Sequence, residues 1–187
     1  MSRALWFRDR QAWRLIAYRY LPWFAFLNLT WEAGQVRLYT LWTEAEPVYI
    51  AFSVVHCTLG DVLIGGLALL LALIVLRERQ LAYWRWRSVA ALTVLFGLAY
   101  TVFSEWMNIT VLRSWTYSDR MPTLAFGEFA IGVSPLLQWL FLPPLSLYFA
   151  RRGLATEQPD QHDKNGDQQA DHHDPSQQPE SHHPGHH

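Results

Sequence analysis

Residues 62–76 read VLIGGLALLLALIVL, fifteen consecutive positions without a charged or strongly polar side chain. With the mostly apolar residues before it, the run extends from about 48 to 76, more than the ~20 residues a helix needs to cross ~30 Å of hydrocarbon. Three further segments have comparable length and character, at about 20–42, 88–112 and 122–150. The chain therefore reads as an all-α membrane protein with four transmembrane helices. The segment at 20–42 is the least apolar, because Asn28, Glu32 and Gln35 lie between Arg19 and Arg37. It lacks a short apolar core followed by a small-residue cleavage site, so a retained span is expected rather than a signal peptide.

A mean hydropathy near zero conceals two regimes in the 187 residues. Residues 1–152 carry 14 Arg, no Lys and nine acids, a net charge of +5, and form the expected membrane domain. Residues 153–187 carry one Lys and seven acids, a net charge of −6, with almost no apolar side chain. Such a segment cannot bury enough apolar surface to fold, and a disordered tail is expected.

Orientation follows from the arginines, because loops retained in the cytoplasm keep the excess of positive charge. Arg3, Arg8, Arg10, Arg14 and Arg19 precede the first span, Arg77, Arg79, Arg85 and Arg87 separate the second from the third, and Arg151 and Arg152 follow the fourth. Residues 43–47 carry Glu44 and Glu46 instead. Both termini are expected in the cytoplasm, with residues 43–47 and 113–121 external. Short loops and Arg-rich flanks suit a bacterial inner membrane. Trp42, Trp115 and Tyr117 on one side, and Tyr83, Trp84 and Trp86 on the other, fit interfacial aromatic belts.

Against this apolar background two carboxylates recur in one local frame. Glu32, Gln35 and Trp42 are echoed by Glu105, Asn108 and Trp115 at identical spacing, and Ala51 and Phe52 by Ala125 and Phe126. The pattern suggests a tandem repeat of a helical hairpin. A rise of ~1.5 Å per residue places each Glu about 15 Å below its Trp, if the helices continue that far.

Residues at i, i+3, i+4 and i+7 share a helix face, and each span collects its polar or small residues in that pattern. The stripes are Asn28, Glu32, Gln35 and Tyr39; Ser53, His56, Cys57, Gly60 and Asp61; Gly97, Thr101, Ser104, Glu105 and Asn108; and Glu128, Gly132, Pro135, Gln138 and Trp139. Polar residues between membrane helices can serve as packing glue. Four intramembrane acids and a histidine exceed that need, because ionisable groups in hydrocarbon are costly and by default functional.

Glu32, His56, Glu105 and Glu128 make a candidate metal-ligand set with hard and borderline donors suited to Zn, Mn or Fe. The tail histidines His172, His173, His182, His183, His186 and His187, interleaved with aspartates, suit Zn, Cu, Ni or Co as a metal buffer. A dinuclear carboxylate centre lacks its Glu-x-x-His pairs, and only His56 is intramembrane, so no haem is expected within one subunit. Cys57 is the single cysteine and forms no intrachain disulfide.

These residues lead to three functional expectations. The first is a small polytopic protein that binds, transports or senses a divalent transition metal. The second is a membrane-embedded enzyme using buried carboxylates on a lipid or isoprenoid substrate. The third is an accessory subunit whose polar stripes meet the helices of a membrane partner or of a second copy. No phosphate-cradling loop, Ser-His-Asp constellation or nucleic-acid module is present.

Overall fold

The computed structural model describes residues 5–155 apart from Glu128. The expectations for Glu128, for the tail histidines and for disorder beyond residue 155 fall outside the described residues. The described chain is mostly helical, in the order α1 (Arg10–Leu15), α2 (Leu21–Gln35), α3 (Leu41–Glu44), α4 (Pro47–Val75), α5 (Trp86–Glu105), β1 (Thr123–Phe126), β2 (Phe129–Gly132) and α6 (Val133–Ala155).

Three helical stretches are long and apolar enough to cross a membrane: Pro47–Val75, Trp86–Val111 and Val133–Leu154. At 29 residues α4 would extend about 43 Å, longer than the hydrocarbon is thick. The amino-terminal helical run is built from shorter pieces. A π-helical turn, Ile16–Tyr20, joins α1 to α2, and a 3-10 turn, Val36–Leu38, follows α2. The wide turn has a local cause in Pro22, which lacks an N–H and crowds the carbonyl one turn earlier.

One end of the bundle is closed by polar contacts. Asp9 accepts the Gln11 N–H at 2.9 Å through one carboxylate oxygen and the Leu81 N–H at 2.8 Å through the other, tying the start of α1 to the α4–α5 loop. Within that loop the buried Glu78 carboxylate pairs with Arg85 Nε at 2.9 Å. At the carboxyl end of α6 the Arg151 guanidinium stacks over Trp86 at 5.3 Å.

Inside, α2 packs on α4 and α4 on α5. Tyr20 and Phe24 stack at 5.5 Å, and Phe24 meets Trp139 of α6 at 5.8 Å. Two glycines admit these rings. The Phe24 ring lies against Gly65 and the Trp139 ring against Gly97 so closely that a Cβ at either glycine would overlap the ring. Small residues that let large ones approach are the usual currency of helix packing in membranes. Of these rings, Trp139 also lines the polar chamber described below.

The fourth segment departs from the expected helix over 122–150. Its first residues form an antiparallel hairpin pairing Thr123 with Gly132, Leu124 with Ile131, Ala125 with Ala130 and Phe126 with Phe129. Gly127, at φ +63°, supplies the left-handed first residue of the two-residue turn. The helix starts only at Val133, whose N–H donates to the Pro122 carbonyl at 2.8 Å. The proposed Ala-Phe echo is thereby divided, because Ala51 and Phe52 are helical whereas Ala125 and Phe126 are in a strand. Pro135 lies in the first turn of α6, where proline is tolerated, and Pro143 and Pro144 lie inside it.

Candidate intramembrane binding site

Four helices place their polar stripes around one cavity of about 530 Å³. Glu32 and Gln35 come from α2, Ser53, His56, Cys57, Gly60 and Asp61 from α4, Thr101, Ser104 and Glu105 from α5, and Pro135, Gln138 and Trp139 from α6. Asn108 belongs to the π-helical turn Trp106–Val111 that continues α5. The periodicity that defined each stripe in the sequence thus selects the side chains that face inward.

At the base, the Gln138 amide is the hub. Its Nε2 lies 2.8 Å from Asn28 Oδ1, 3.0 Å from Glu32 Oε1 and 2.8 Å from Asp61 Oδ2. Three acceptors fix the orientation of this amide, since the reverse would set its carbonyl against three oxygens. An amide has only two N–H bonds, so the three acceptors compete for two hydrogens. Gln35 completes the network, with its Nε2 donating to Glu32 Oε1 at 2.6 Å and to Gln138 Oε1 at 3.1 Å. Its Oε1 accepts from Trp31 Nε1 at 3.1 Å and from Ser134 Oγ at 2.8 Å. Asn28, Glu32, Gln35 and Gln138 are buried.

The Glu32 and Asp61 carboxyl groups thus converge on one nitrogen, Gln138 Nε2, at 3.0 and 2.8 Å. Two ionised carboxylates that share a buried site repel each other, and one proton held between them removes that cost. Asp61, which the expected metal-ligand set leaves out, belongs with Glu32 at the centre of the site.

Glu105 has different surroundings, although its sequence frame matches that of Glu32. Its carboxylate accepts from the Tyr117 hydroxyl, and the buried indole N–H of Trp115 faces it without reaching hydrogen-bond geometry. Asn108 donates instead to the Ser104 carbonyl at 2.9 Å. The expected 15 Å between Glu105 and Trp115 is not realised. The helix ends at Val111, Arg113 adopts φ +51°, and the Ser114 N–H returns to the Asn108 carbonyl at 2.8 Å, so Trp115 folds back onto the cavity wall.

The loop carrying Trp115 and Tyr117 is fastened across the chain. Tyr39 and Tyr117 form an isolated antiparallel bridge with their rings 5.6 Å apart. The Thr40 N–H donates to the Thr116 carbonyl at 3.1 Å, and the Ser118 N–H to the Leu38 carbonyl at 3.0 Å. Burial, with the Glu105 carboxyl next, holds the Tyr39 and Tyr117 hydroxyls above the ordinary phenol range, so both remain neutral donors.

His56 lines the cavity but is exposed, and its ring stacks on Phe52 at 5.6 Å. Among the described residues, no three His, Cys, Asp or Glu side chains are grouped so as to hold a metal ion. Tyr117 and Ser134 are site residues outside the stripes read from the sequence: Tyr117 comes from a loop, and Ser134 lies between Gly132 and Pro135, four residues before Gln138. No known protein family, curated protein or solved structure matches this chain, so its site is read from its own geometry.

Proposed function

We propose that the chain is a four-helix integral membrane protein whose cavity holds a proton on the Glu32–Asp61 pair and exchanges it with a ligand that enters from the bilayer. The observation that carries this reading is the convergence of the two carboxyl groups on Gln138 Nε2, at 3.0 and 2.8 Å, on the wall of a cavity of about 530 Å³. A shared proton in a low-dielectric chamber can be given up when a cationic or hydrogen-bond-donating guest replaces it. In this reading the helical run over residues 10–38 is the fourth crossing. The bundle end that gathers Arg8, Arg77, Arg79, Arg85, Arg87, Arg151 and Arg152 faces the cytoplasm of a bacterial cell.

Capture of a divalent transition metal is the second reading, favoured by the presence of Glu32, His56, Cys57, Asp61 and Glu105 around one cavity. It requires these donors to draw together beyond the arrangement described. Infrared spectroscopy and metal analysis of the full-length protein separate the two. A band from a protonated carboxyl at neutral pH, lost in Asp61→Asn and in Glu32→Gln, is the expected result. A band unchanged in both variants would reject the shared proton. One equivalent of metal that survives replacement of the tail histidines and disappears in Glu32→Gln would put the metal reading in its place.

A further inference from the structure

We infer that the ligand of this cavity is a lipophilic organic cation, an amine or quaternary ammonium on an apolar body, admitted from the bilayer between α4 and α5. The inference rests on the reading of the cavity as a proton-exchanging site and adds the chemistry of the guest.

Charge is the first reason. Among the described residues, the lining includes the carboxyl groups of Glu32, Asp61 and Glu105 and no Lys or Arg. One proton shared by Glu32 and Asp61 leaves that pair with one negative charge, and ionisation of Glu105 adds another. An uncompensated charge in such a place costs several kcal/mol, which a cationic guest offsets. An anionic lipid would be repelled, and a neutral alcohol would contribute one donor and no charge.

The character of the walls is the second reason. Tyr49 and Phe52 on α4 and Tyr100 on α5 line the cavity yet are 56%, 60% and 41% exposed, so they mark an opening between these helices on the surface that meets lipid. Tyr39, Trp115 and Trp139 line the interior. Aromatic faces attract cations, and the attraction grows where water is excluded. The volume of about 530 Å³ falls within the range of pockets that enclose small organic molecules, on the order of 300–1,000 Å³. A bare metal ion would leave most of that space and all of the aromatic wall unused.

Other titratable groups that line the cavity are His56 and Cys57 of α4 and Tyr39, with Tyr117 behind Glu105, while α6 contributes only Pro135, Gln138 and Trp139. None of these is a fixed cation. A cation entering the chamber meets carboxyl groups as its counter-charges, and its arrival displaces the shared proton towards solvent.

Three probes of nearly one shape test the inference in lipid nanodiscs: tetraphenylphosphonium, neutral tetraphenylmethane and anionic tetraphenylborate. Saturable binding of about one tetraphenylphosphonium per full-length chain is expected, read by quenching of tryptophan fluorescence and accompanied by proton release. The neutral and anionic probes should neither compete nor release protons. Glu105→Gln should weaken binding at least tenfold. Tyr100→Leu, at an exposed position on the rim, should weaken it about two- to five-fold and covers the case in which the carboxyl variant does not fold. Equal binding of the borate, absence of phosphonium binding, or unaltered affinity in every folded variant would overturn the inference. If the carboxyl infrared band is present while phosphonium fails to bind, the choice of guest is wrong. If both are absent, the proton-holding site itself is wrong.

Discussion

The Tyr117 hydroxyl donates to the Glu105 carboxylate and accepts the Gly132 backbone N–H at 2.7 Å, so a single phenol joins α5 to the end of the β1–β2 hairpin. Both bonds are lost in Tyr117→Phe, which leaves the ring in place. Removing partners from buried polar groups costs about 1–3 kcal/mol. The variant should lose stability in that range, and its Gly132 amide should exchange with solvent faster while the Leu124–Ile131 pairing remains protected. Unchanged Gly132 exchange would show that the phenol does not hold the hairpin.

The sequence made the helix faces legible and the turns between them less so. Glu32, Asp61, Glu105 and Gln138 were identifiable as inward residues because each belongs to a 3.6-residue pattern in an apolar segment, and all four line one cavity. The Tyr117 contact has no such signal, since it depends on how the chain reverses after Val111. The hairpin at 123–132 did carry a local signal, two short runs of Thr, Leu, Phe and Ile about a Gly-containing turn. A helical reading of the whole apolar segment obscured it. Matching Glu frames likewise gave matching depths on paper, whereas amides surround Glu32 and a loop tyrosine serves Glu105. Residues far apart in sequence decide those environments.

Gly97→Ala should destabilise the protein by about 1–3 kcal/mol, because the added methyl overlaps the Trp139 ring in a packed layer. Gly34→Ala is the matched control, with no atom within 4 Å of its added Cβ, and should be neutral or slightly stabilising in the helix. Denaturation in a fixed lipid or detergent system compares them. Equal effects from the two substitutions would contradict the Gly97–Trp139 contact.

Alkaline titration should find Tyr39 and Tyr117 protected by the fold. Burial and the neighbouring Glu105 carboxyl raise their folded-state values above that of an unfolded phenol, about 10. The folded state therefore retains protons that the unfolded state releases, and stability falls as pH rises through about 10. The two buried phenols should ionise in a cooperative phase as the fold opens. In Tyr117→Phe the alkaline loss of stability should be shallower. A single transition for all tyrosines near pH 10, without loss of helicity, would disprove the protected state of these hydroxyls.

Cysteine labelling tests the orientation. Cys57 lines the cavity and would confuse the assay, so Cys57→Ser is the parent. Glu44 lies in the short helix α3, at the end of the bundle opposite the Asp9–Leu81 and Glu78–Arg85 contacts. The positive-inside rule assigns the arginine-rich end to the cytoplasm, which places Glu44 outside. An impermeant maleimide should therefore label Glu44→Cys in intact cells, whereas Ser176→Cys should react only after permeabilisation. Reversed labelling would invert the orientation. Labelling of both sites in intact cells would show that the chain crosses the membrane an even number of times between residues 44 and 176, so that the three helices Pro47–Val75, Trp86–Val111 and Val133–Leu154 are not all spans.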